Sequence, residues 1–199
     1  FEPDALRYAL AASFPEQSDT ELTVNEIARR INEELVATWG NLVNRVLSMV
    51  HSICGGVVPP VGERSAGDMA LLAEVDAALE RVAGQINKVE LRAGLQSGMA
   101  AAAGVNAYLN ATEPWKVAKE DHKQALVILG TALSAVNGIR VCLSPYLPFS
   151  NAALDQVLGP VDGWCRTDVE PGIPIDRPSP LFAKVDPTTL DGLVDDEPE

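Results

Sequence analysis

Apolar positions three and four residues apart dominate the middle of the chain. Over residues 24–54 they fall at Val24, Ile27, Ile31, Leu35, Leu42, Val46, Val50 and Ile53, the stripe of one long amphipathic helix with a bend expected at Gly40. Thr23, with Glu26 three residues on, supplies a capping-box signature at its start. "GGVVPPVGERSAG" then breaks the pattern. A second helix is predicted over residues 68–85, with Leu71, Leu72, Val75, Leu79, Val82 and Ile86 on its inner side. A third covers 88–112 and is Ala-rich at 100–103, which lets a neighbour approach closely. Pro114 is expected to end it, because proline cannot continue a helix from within. A fourth covers 120–144 and a short one runs to about Leu158. Upstream, residues 3–13 form a short helix with Leu6, Tyr8, Ala9 and Leu10 available for burial. Nothing in the middle alternates with a period of two. The pattern therefore predicts an all-α, antiparallel helix bundle with an extended C-terminal tail, divided into residues 1–22, 23–158 and 159–199.

Composition changes this picture only at the ends. A chain of 199 residues suits one domain with a real core. No unbroken apolar run reaches the 18 or so residues that cross a bilayer, so no membrane partner is expected. "FEPDALRYAL" has acids where a secretory signal has bases, so no secretory route is expected either. Cys54, Cys142 and Cys165 are odd in number and far apart, which argues against a disulfide framework and a zinc site and fits a cytoplasmic protein. The net charge of −13 speaks against a nucleic-acid partner, since phosphates are gripped by clustered Lys and Arg. That charge is unevenly spread. Residues 1–22 carry five acids and one base, residues 167–199 nine and two, and residues 23–158 thirteen and eleven. The central bundle is nearly neutral.

The candidate chemistry is recognition. The chain has no Gly-rich phosphate loop, no nucleophile elbow and no HExxH. His51 and His122 lie on predicted helices without a partner at ligand spacing. Asn41 and Arg45, four apart, share an outward stripe offset from Ile31, Leu35, Leu42 and Val46. An amide beside a guanidinium offers the donors and acceptors that read unpaired base edges, and an ordinary polar helix face would also look like this. Trp115, after Pro114 and before Lys116 and Lys119, is either a core plug or a stacking platform for an unpaired base. Stacking requires no net positive charge. Trp39 is likewise either core or part of an aromatic surface. In the tail, seven of the fourteen prolines surround one apolar pair, Leu181-Phe182, which reads as a docking point. Disorder of the last ten residues fits their composition as well as order does.

"DALRYAL" (4–10), "RINEELVATWGNLVNR" (30–45), "GGVVP" (55–59), "NAYLNATEPWKVAK" (106–119) and "PLFAKVD" (180–186), in this order, resemble the C-terminal half of methionyl-tRNA synthetases. The resemblance covers nearly the whole chain. It implies an anticodon-binding bundle that reads CAU on methionine tRNA, with Asn41 and Arg45 as the hydrogen-bonding pair and Trp115 stacked on the first anticodon base. By the same resemblance, residues 1–22 are the end of a stem-contact fold and "PLFAKVD" returns toward the catalytic core. The His-Ile-Gly-His and Lys-Met-Ser-Lys-Ser motifs are missing, so no catalytic residue, metal or cofactor is expected on this chain. ATP and magnesium belong to the catalytic Rossmann domain, which would be a further partner; DNA is not one. The chain is thus expected to be part of an ATP-dependent ligase and inactive alone. Trp39 stands where the family often has Leu, and "RYALAAS" replaces a bulkier aromatic-leucine run. Related domains of cysteinyl, valyl, isoleucyl or leucyl enzymes leave the Asn41, Arg45 and Trp115 set unexplained, and a purely structural bundle gives it no RNA role.

Overall fold

The computed structural model describes residues 2–16 and 22–189, so the middle of the polar connector and the last ten residues lie outside it. The architecture is all-α. Helix α1 (Pro3–Ala12) precedes a continuous helical run made of α2 (Val24–Arg29), a wider π-helical segment (Arg30–Gly40) and α3 (Asn41–Ile53). Then come α4 (Ala66–Asn87), α5 (Leu91–Thr112), α6 (Pro114–Glu120), α7 (His122–Leu143) and α8 (Pro148–Leu158). Among the described residues the only extended pairing is one antiparallel bridge, Val57 to Pro174.

Helix α7 is the axis of the bundle. From Ala125 to Leu143 almost every residue is buried, as expected for a helix apolar on all sides. By length and composition α7 could cross a membrane, and here the other helices enclose it. Close approach is set by small residues: an added Cβ at Gly138 would lie 2.6 Å from Val75 Cγ1 on α4, and one at Gly98 on α5 would lie 2.8 Å from Leu143 Cδ2. The one charge in its buried stretch, residues 125–143, is accounted for. Arg140, 1% exposed, donates to Asn137 Oδ1 at 2.7 Å, Asp155 Oδ1 at 2.6 Å and the Gly159 carbonyl at 2.5 Å. Burial pulls its pKa down, and the Asp155 charge opposes that shift.

Three local expectations are revised. Leu6 and Leu10 of α1 are exposed, whereas Ala5, Tyr8, Ala9 and Ala12 face inward, where the Tyr8 hydroxyl donates to Glu34 at 3.0 Å. The Thr23 hydroxyl accepts from Glu26 N at 3.2 Å, but the Glu26 carboxylate is held by Arg29 and Arg30 rather than closing the box. The full capping box sits instead at Ser65 and Asp68, opening α4. Pro114 does more than end α5: it occupies the first turn of α6, where the missing N–H costs nothing.

The tail lies along the bundle as a strap. Arg166 pairs with Asp76 at 2.8 Å and Arg64 with Asp168 at 2.6 Å, and Ser134 also donates to Asp168. Asn137 Nδ2 reaches the Thr167 carbonyl at 2.9 Å. Val58 N donates to Ile173 O at 2.8 Å and Ile175 N to Gly56 O at 2.7 Å. Val169, Ile175 and Phe182 are buried.

Candidate nucleic-acid interface

The three tryptophans have three different environments. Trp39 is 1% exposed and part of the core. Trp164 is partly covered and donates its indole N–H to the Leu79 carbonyl at 2.9 Å, pinning the tail. Trp115 is 37% exposed, and among the described residues its N–H has no acceptor. It stands on the first turn of α6, just after the left-handed residue Glu113 turns the chain out of α5.

Arg45, one turn into α3, reaches this ring across the groove between helices. Its guanidinium carbon lies 5.8 Å from the centroid of Trp115, within cation–π range. The same guanidinium is held from below by α5: Nη1 donates to Asn106 Oδ1 at 3.3 Å and Nη2 to Asn110 Oδ1 at 3.0 Å. Asn106 is anchored in turn, donating to the Thr38 carbonyl at 3.3 Å and to that of Ala102 at 3.4 Å. Two of the five N–H donors of Arg45 are thereby used, which fixes its plane and leaves the others available. Asn41, one turn earlier on α3, is exposed, and its amide has no partner among the described residues. The structure thus brings Arg45 and Trp115 into contact and places Asn41 on the same outer side of α3.

The sequence alone does not single out Asn106 and Asn110. Their four-residue spacing on α5 was the available signal, but only the fold shows that this stripe faces Arg45. The surroundings are mixed in charge. Lys116 is tied to Glu113 at 2.7 Å, while Lys119, His122 and Lys123 are exposed beyond the ring.

His51, Cys54 and Cys142 have structural environments. His51 Nδ1 lies 3.0 Å from the Ile175 carbonyl and fastens the tail. Burial pushes the Cys54 and Cys142 thiols up to about 11 and about 12, far from thiolate chemistry at neutral pH. No cluster of three His, Cys, Asp or Glu suited to a metal ion occurs among the described residues.

A family model described as the anticodon binding domain of methionyl tRNA ligase matches residues 58–193. The chain belongs to this family. A second model, for class I tRNA synthetases of the methionine type, matches residues 1–47. Asn41 and Arg45 fall in the second match and Trp115 in the first, so this surface is assembled from both. Among curated relatives, the methionine–tRNA ligase of Corynebacterium jeikeium is 36% identical over 94% of this chain. That of Chloroflexus aggregans is 45% identical over 80% of it. The chain spans 38% and 26% of those relatives' lengths. Among solved structures, the apo methionyl-tRNA synthetase of Mycobacterium tuberculosis aligns with a TM-score of 0.84 at 27% identity, covering 92% of this chain and 39% of that one. The same enzyme in complex with methionyl-adenylate aligns at 0.82 and 28%, covering 90% and 37%.

Proposed function

We propose that this anticodon-binding domain reads the CAU anticodon of methionine tRNA, as the recognition part of a methionine–tRNA ligase whose catalytic domain lies outside the chain. The observation that carries this reading is the half-exposed Trp115 ring with the Arg45 guanidinium against it and the free Asn41 amide on the same side. The ring offers a face for the first anticodon base, a cytosine, and base–aromatic stacking contributes about 1–3 kcal/mol. Asn41, donor and acceptor at once, and the remaining Arg45 donors complement the edges of unstacked bases. Because Asn106 and Asn110 hold the guanidinium in place beforehand, little side-chain entropy is lost on binding.

The acidic composition is compatible with this role. Base stacking and hydrogen bonding need few phosphate contacts, and the rest of the assembly grips the backbone. ATP and magnesium are assigned to the catalytic domain. The contribution of this domain is to select the cognate tRNA and orient its acceptor end.

Steady-state charging of methionine tRNA by the full-length enzyme tests the reading. Trp115→Ala is expected to lower kcat/KM for tRNA by about 5- to 150-fold, the equivalent of the stacking energy. Methionine activation and melting temperature should stay near wild type. Unchanged tRNA charging, or a loss explained by a fall in melting temperature, contradicts it.

A further inference from the structure

The Arg30–Gly40 segment ends one residue before Asn41. A π-helix packs more residues into each turn than the 3.6 of an α-helix and is seldom stable over more than a single turn. An eleven-residue run therefore depends on contacts from outside. Those contacts converge from three directions. On one side Tyr8 of α1 donates to Glu34 at 3.0 Å. On another, Asn106 of α5 donates to the Thr38 carbonyl at 3.3 Å. The third is the tail, which grips both ends of the segment. Asn32 Nδ2 donates to the Val185 carbonyl at 2.7 Å, and Val185 N donates back to Asn32 Oδ1 at 2.9 Å. Phe182, 4% exposed, covers Gly40 so closely that an added Cβ there would lie 3.2 Å from Phe182 Cδ2. Phe182 also lines a small cavity together with Pro3 and Asp4 of α1 and Phe149 of α8.

We propose that residues 180–186 are a clasp that sets the angular position of the recognition helix, with Phe182 and Asn32 as positioning residues for Asn41 and Arg45. The inference rests on the anticodon reading above and goes beyond it. If the clasp opens, the wide turns revert toward α-helical winding. Every residue after the segment then rotates about the helix axis relative to α5 and α6. Arg45 is drawn away from Asn106, Asn110 and Trp115, and Asn41 turns with it. Trp115, on separate elements, stays where it is. The recognition surface is thus held in register by a tail segment about 140 residues away in sequence.

Two measurements on the full-length protein test the clasp, in Phe182→Ala, Asn32→Ala, Trp115→Ala and, as a control, Glu170→Gln, an exposed tail residue outside residues 180–186. Hydrogen exchange is expected to accelerate across residues 30–41 in Phe182→Ala and Asn32→Ala, with α4 and α7 still protected. In those same two variants, the ratio of charging rates for CAU tRNA over tRNA with a substituted first anticodon base should fall by about 5-fold or more. Methionine activation and the Glu170→Gln variant should stay at wild-type levels. Unchanged exchange in residues 30–41 overturns the clasp. A ratio that falls in Trp115→Ala but not in the clasp variants overturns the clasp alone. A ratio that falls in none of them overturns the anticodon reading, and this inference with it.

Discussion

Glu113 is the one non-glycine residue that both adopts a left-handed conformation, at φ 42°, and opens the turn carrying Trp115. An L-residue in this region is strained by about 1–2 kcal/mol. The strain is sustained by the bonds its carbonyl accepts from Lys116 N at 2.7 Å and Val117 N at 3.1 Å, and by the exposed ion pair with Lys116. Glu113→Gly removes the steric cost and only a weak surface pair. Thermal unfolding of the variant is expected to show a gain of about 1 kcal/mol with the turn intact, and a lowered melting temperature contradicts the strain. The two ambiguous tryptophans show how far single residues are legible. Trp39 follows Ile31 and Leu35 at spacing four, so the stripe itself pointed inward. Trp115 belongs to no such stripe, and only the packing of α6 decides that the ring stays half open.

Close contacts between α4, α5 and α7 put glycines under a different constraint. Alanine is the better helix former, by about 1 kcal/mol, yet Gly138→Ala places a methyl within 2.6 Å of Val75 Cγ1 and also against Arg166. Overpacking of this kind costs about 1–3 kcal/mol. Denaturant unfolding should therefore find the variant less stable, against its helix propensity, and a more stable variant would mean that α4 and α7 can move apart freely. At this scale the long periodic helices were readable, because large apolar residues repeat at helical spacing over many turns. Helix α6 was not: PWKVAKE spans two turns, carries no apolar stripe, and is helical because it packs on α7. The π segment was also hidden. Ile31, Leu35 and Trp39, four apart, line up on one face in either helix type, so periodicity does not distinguish the two.

Over the whole molecule, the strap ties the acidic C-terminal part to the nearly neutral bundle, and that tie is sensitive to acid. Burial alone would raise the Asp168 carboxyl above its ordinary 3.8. The hydrogen bonds from Arg64 and Ser134, with the charges of Arg64 and Arg166, outweigh burial and hold it below. A carboxyl depressed in the folded state stabilises the fold in full above its unfolded value and loses that contribution as pH falls through the folded one. Stability should therefore decline as pH drops below about 3.8, with exchange in residues 164–169 rising first. Asp168→Asn should be less stable at pH 7 and show a shallower decline in acid, and an unaltered pH profile contradicts the assignment. Long-range ties of this sort, like the contact between Arg45 and Asn110, join residues whose sequence positions carry no mutual signal.

The proposal that organises the molecule is that Trp115 stacks on the first anticodon base while Arg45 and Asn41 bond to the edges of the unstacked bases. The most direct measurement is equilibrium binding of two anticodon stem-loops, one with CAU and one with its first base changed, to the full-length protein and to Trp115→Ala and Arg45→Ala. The account predicts a preference for CAU in the wild type that shrinks by about 5-fold or more in each variant, at unchanged fold. An equal preference in all three proteins would contradict it.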